Sequence, residues 1–138
     1  MPYALTFSKQ VEITDPDQYI NDCCIGGDVV LDRLLPVLRA RYGNDLQSNQ
    51  EDWGWFAWFD EGPVKLAVDI FTDDHKNLQF QLLLTSRKPR LILRDIVEDG
   101  AELESLRELV VRELADWPVS SLTVQRSTRS TCLRSGAA

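Results

Sequence analysis

Four groups of side chains in this sequence are of types that do chemistry. Asp69, Asp73, Asp74 and His75 fall within the run DIFTDDH. Carboxylates beside an imidazole can hold a divalent metal. The spacing is not that of a calcium-binding helix–loop–helix, and no second ligand cluster accompanies it. Asp73-Asp74-His75 has instead the composition of a hairpin tip, where Asp bonds nearby backbone N–H groups. No metal and no cofactor is expected. Cys23 and Cys24 are adjacent thiols, but a reactive thiolate needs a base or cation beside it. His75 is the single imidazole, and nothing in the sequence places it there. Three cysteines, an odd count without C-x-x-C, are expected to be reduced, and the adjacent pair buried and inert. Gly26-Gly27 ahead of Asp28 has the look of an anion-binding turn. A capping Asp would repel phosphate, and neither G-x-G-x-x-G nor a Walker A pattern is present. Arg87, Lys88, Arg90 and Arg94 form a basic cluster, expected to pair with the acidic segment that follows it.

A fifth group is aromatic. EDWGWFAWFDEG, from Glu51 to Gly62, holds three of the four tryptophans. Whether they bind something or fill a core depends on which way each one points, and so on the elements that carry them.

The chain has 138 residues, enough for one domain with its own core. Its net charge is −7. All the acids precede Arg126, where 12 basic side chains face 22 acidic ones, a balance of −10. Nucleic acid is not expected as a direct partner, because phosphate binding relies on Lys and Arg clusters. A basic protein partner fits, although acidity also simply keeps a domain soluble. No run of about 18 apolar residues is present, so no membrane segment is expected. MPYALTFSKQVEI lacks the pattern of a signal peptide, and a cytoplasmic location is expected.

Residues 3–13 alternate as a half-buried strand. Asp15 can cap a short helix begun by Pro16. Asp28 can cap a helix with the stripe Leu31, Leu34, Leu35, Leu38 and Tyr42, stopped by Gly43. Pro36 should kink or shorten it. Residues 44–52 read as a polar loop. Strands are expected over 53–60, 64–71 and 78–85. LILRDIV reads as a short strand. A D-x-x-E start at Asp99 opens a helix over about 100–116, ended before Pro118. VSSLTVQ reads as an edge strand. The domain is thus 1–125, followed by a disordered basic tail, 126–138. The expected fold class is α+β, an antiparallel β-meander in the order β-α-β-β-β-α-β with helices packed on one face.

Glu61-Gly62 suits the centre of a two-residue hairpin turn. That register pairs Phe59 with Val64, Ala57 with Leu66, Trp55 with Val68 and Trp53 with Ile70. A three-residue turn, Asp73-Asp74-His75, then pairs Ile70 with Leu78 and Val68 with Phe80. Both turns send the same residues to the core, with Trp53 and Trp55 beneath the helices. Phe56 and Trp58 fall on the other face with Lys65, Asp69, Phe71, Gln79 and Gln81. These seven residues are the candidate binding site. Aromatics among polar groups are typical of recognition surfaces, and Lys65 could lie over Trp58. The alternative is that loop 44–52 or the tail folds over this face and buries it.

The combination GGDVVLDRLLPVLRARYG followed by EDWGW resembles small bacterial proteins of uncharacterised function with a helix before a D-W-G-W strand. The acidic single domain is loosely similar to bacterial immunity proteins, which cover a toxin's basic active site. It also resembles type III secretion chaperones, although those carry a helix before their first strand. The expectation is a non-enzymatic, immunity-like inhibitor of a basic partner. The alternatives are a chaperone-like homodimer, or a small enzyme using acidic residues such as Asp69.

Overall fold

A computed structural model describes residues 2–88, 96–97 and 100–126. The elements are β1 (Tyr3–Ser8), α1 (Gly27–Tyr42), β2 (Gln47–Glu51), β3 (Gly54–Glu61), β4 (Val64–Asp74), β5 (Gln79–Lys88), β6 (Ile96–Val97), α2 (Ala101–Asp116) and β7 (Ser120–Arg126). The strands form one sheet in the order β2-β3-β4-β5-β1-β7, with every neighbouring pair antiparallel. The two-residue β6 pairs with the end of β5. The fold is α+β, as its patterning predicts.

Both helices lie on one face because each presents a single apolar stripe. Val30, Leu31, Leu34, Leu35 and Leu38 of α1 and Leu103, Leu106, Val110 and Leu114 of α2 are buried. They close on Leu5, Phe7, Ala57, Phe59, Leu66, Val68, Ile70, Phe80, Leu82 and Leu84 from the sheet. Arg33 Nε bonds Glu113 Oε2 at 2.8 Å and ties the two helices together. Pro36 does not shorten α1. It sits on the exposed side, and the burial of Leu34, Leu35 and Leu38 around it carries the helix on to Gly43. Asp28 is not the cap. Gly26, at φ 80°, takes that position, and Asp28 accepts a hydrogen bond from Tyr19 Oη at 2.7 Å. Burial first, and then this bond, pushes the Tyr19 phenol up to about 12. At α2 the cap residue is Gly100, with no side-chain bond; Asp99 lies outside the described residues.

The hairpins keep the expected faces but not the expected pairs. Glu61 pairs with Val64, so Gly62 and Pro63 make the turn and Phe59 meets Leu66, Ala57 meets Val68 and Trp55 meets Ile70. At the next hairpin Ile70 meets Leu82 and Val68 meets Leu84, with a bulge between Thr72 and Asp74. The two slips are of two and four positions. An even slip leaves every side chain on its own face, which is why the orientation survives. Asp74 shapes the second turn by accepting from the N–H groups of Lys76 at 3.0 Å and Asn77 at 3.3 Å.

Four further expectations need correction. Residues 47–51, read as loop, form the edge strand β2. Its sequence, QSNQE, has no apolar alternation, since it faces solvent and gains its order from pairing with β3. β1 ends at Ser8 rather than 13, and Lys9 N–H bonds the carbonyl of Leu78 at 3.1 Å as the chain turns off the sheet. Cys23 is disulfide-bonded, against the expectation of reduced thiols, while Cys24 is free and buried. Arg126, assigned to the tail, is the last residue of β7; the rest of that segment, and most of LILRDIV, lie outside the described residues.

Candidate functional site

Trp53, Trp55 and Trp58 have three different fates. Trp55 packs against the core at the start of α1. Its Nε1 donates to the carbonyl of Cys24 at 2.8 Å, and a Cβ on Gly27 would come within 2.5 Å of its ring. Trp53 was expected beneath the helices as well. It lies on the opposite face, with its ring 5.4 Å from Phe71 and 6.3 Å from Phe56, near Cys23. The cause is local. Asp52 and Trp53 form the turn between β2 and β3, so Trp53 falls outside the alternation that aims Trp55.

Trp58 stands on the face opposite the helices and is 41% exposed. Its ring is stacked on Phe56 at 4.0 Å, and Phe56 is consequently buried. Its Nε1 donates to Asp69 Oδ1 at 3.0 Å. The expected contact of Lys65 with the indole is replaced by this hydrogen bond; among the described residues, cations lie over Trp117, Tyr42 and Tyr3 instead. Burial pushes the Asp69 carboxyl above its usual range, and the Trp58 hydrogen bond and the charge of Arg87 act the other way.

A hollow of about 470 Å³ opens beside this pair. Register explains it. Trp58, Ala67 and Thr85 are cross-strand neighbours on β3, β4 and β5, and Asp60, Lys65 and Arg87 are the next row. The central residue, Ala67, is small, and large side chains ring it. Trp58, Asp69 and Leu83 stand on one side and Lys65 and Arg87 on the other, with Asp45, Gln47 and Asp60 completing the lining. Such a volume suits a small molecule or one or two side chains of a partner.

Of the seven residues expected in the site, the structure brings together Trp58, Lys65 and Asp69 over a buried Phe56. Phe71 and Gln81 are buried farther down the face and line no hollow here. Gln79 is exposed and belongs to a separate small depression with Thr6, Ser8 and Ser121. Arg87, Thr85 and Gln47 are additions. Arg87 was expected to pair with the acidic helix; it stands across the hollow from Asp69, within reach of its charge, while the α2 carboxylates Glu113 and Glu104 take Arg33, Arg107 and Arg126. Loop 44–52 does not cover the face, because its strand extends the sheet sideways; the tail, the other expected cover, lies outside the described residues.

The other chemical candidates have structural partners. Cys24 Sγ lies 3.0 Å from the carbonyl of Glu51, and burial pushes its thiol up, away from a thiolate. His75 Nδ1 is 3.8 Å from Asp22. No group of three or more metal-ligating side chains occurs among the described residues.

No protein-family model, curated protein or solved structure gives a significant match to this chain. Its function must be argued from its own surface.

Proposed function

We propose that this chain is a non-enzymatic protein-binding domain of the immunity-like kind, which engages a basic partner through the open face of its sheet. The observation that supports this most is the exposed Trp58. Its ring is backed by Phe56, its edge is fixed by Asp69, and it borders a hollow of about 470 Å³. Tryptophan is among the residues most enriched at binding hot spots. It loses little side-chain freedom on association.

The charge supports the partner's sign. The balance of −10 before Arg126 would attract a basic protein and speed its association. Asp69, Asp60 and Asp45 line the hollow and would receive the partner's cationic side chains, with Lys65 and Arg87 fixing orientation by pairing with its carboxylates. No helix among the described residues is long and apolar enough to cross a membrane. A cytoplasmic address stays part of the proposal. The Cys23 disulfide pulls against it, since such bonds are rare in reducing compartments.

Affinity capture from the native host tests the reading. Wild-type bait should retain a basic protein that Trp58→Ala and Ala67→Leu baits both lose. Equal retention by all three baits would remove the open face as the binding site.

A further inference from the structure

The two edges of the sheet are treated differently. At β2 another segment of the chain is fastened against the strand. Gln50 Oε1 accepts from the N–H of Ile20 at 2.8 Å, and Gln50 Nε2 donates to the carbonyl of Gln18 at 3.1 Å. Asn21 Nδ2 donates to the carbonyl of Asp52 at 2.6 Å, so the segment around residues 18–21 is clasped beside this edge. At β7 the described residues supply nothing similar. β7 is the terminal strand on the other side, and all its residues but Leu122 are exposed. Ser120–Gln125 contains no charge and no proline, the usual devices that keep an edge from pairing. Val124 is 39% exposed, one of three large apolar side chains so exposed among the described residues.

We propose that β7 is a self-association edge, on which a second copy of this chain pairs antiparallel about a two-fold axis at Val124. The register follows from the strand itself. A shift between Thr6 and Ser8, and Ser121 at φ 57°, distort the beginning of β7. The regular run is therefore Leu122–Arg126, and Val124 is its centre. Two such runs, paired antiparallel, place Val124 against Val124 of the partner subunit and Thr123 against Gln125 of the partner subunit. Leu122 then lies opposite Arg126 of the partner subunit. That cation is already held, with its NH2 group 3.3 Å from Glu104 Oε2 and its guanidinium 3.9 Å from the Tyr3 ring centre. It is not driven against the apolar centre.

The geometry has a consequence. Antiparallel pairing at an edge sets the two-fold axis perpendicular to the sheet, so the helices of both copies stay on one side. Both Trp58 hollows then open on the other side. Each lies on β3–β5, with β1 between it and the paired edge. A dimer would present two equivalent sites in one direction and bind a repeated or paired partner with added strength. The pairing itself does not depend on what Trp58 binds.

Sedimentation velocity on the full chain tests it. Short paired strands make a small interface, so the weight-average mass should climb from 15.8 kDa toward twice that value between about 5 and about 200 µM. Val124→Lys sets two like charges together at the axis and should stay monomeric throughout, whereas Val124→Ile should still dimerise. Amide hydrogen exchange at Leu122–Arg126 in the wild type should slow several-fold with concentration while β2 does not change. This second measurement decides the matter if Val124→Lys does not fold. A wild type that stays monomeric, a folded Val124→Lys that dimerises like wild type, or exchange independent of concentration would each overturn the proposal.

Discussion

Trp58 and Asp69 meet across β3 and β4, the indole Nε1 3.0 Å from Oδ1. The bond fixes the edge of a ring whose face already rests on Phe56. A half-exposed tryptophan is thus held in one orientation by a half-buried carboxylate that burial makes harder to ionise.

The pH dependence of that carboxyl has a definite sign. Its folded pKa is raised above the ordinary value of 3.8, so the folded state holds the proton more tightly than the unfolded state. Its contribution to stability is greatest below the unfolded value and is lost as pH rises through the folded one. Asp69→Asn keeps an acceptor for Trp58 and removes this titration. Its stability at pH 7 should equal or exceed wild type within about 1 kcal/mol. On acidification into the carboxylate range the wild-type urea midpoint should rise relative to the variant's. A variant strongly destabilised at pH 7 would contradict the burial cause.

Trp55 and Trp58 should separate under mutation. Trp55→Phe leaves the Cys24 carbonyl without its donor at 2.8 Å, and should cost about 1–3 kcal/mol in denaturant unfolding. Partner binding should not change. A Trp55→Phe variant as stable as wild type but deficient in binding would reverse the two roles.

This division was legible in the sequence only as far as strict alternation reached. Ala57, Phe59, Val68 and Ile70 against Phe56, Trp58 and Asp69 follow from period two, and an even slip in register cannot disturb them. Trp53 was not legible, because it sits one residue before the strand, in a turn whose start is hidden by polar β2. β2 itself carries no hydrophobic signal. Arg87 was legible as a cation, but its neighbours depend on how far β4 and β5 extend, and the expected strands 64–71 and 78–85 end before Asp74 and Lys88. The hollow is a product of strand order and of the small Ala67, which no pattern of charges announces.

Gly54 should tolerate no side chain. At φ 149°, a Cβ there would lie 2.0 Å from the backbone oxygen of Ile70. Gly54→Ala forces the β2–β3 turn away from β4 and should cost about 3 kcal/mol or more. Chemical denaturation checks this; a loss under about 1 kcal/mol would show that the strands part without penalty.

Filling the hollow should uncouple binding from stability. Ala67→Leu places a larger side chain at the centre of the face opposite the core. Stability should change by about 1 kcal/mol or less, since Ala67 lines the hollow and not the core. Capture of the basic partner should fall at least tenfold. Undiminished capture would place the contact elsewhere on the surface.

The most direct measurement is the affinity of the captured host partner for wild type and for Trp58→Ala across a salt series. The account predicts a loss of about 2 kcal/mol on Trp58→Ala, roughly thirtyfold in Kd. It also predicts a wild-type affinity that weakens steadily as salt rises. An affinity unchanged by Trp58→Ala and indifferent to salt would contradict both the anchor and the charge on which the proposed function stands.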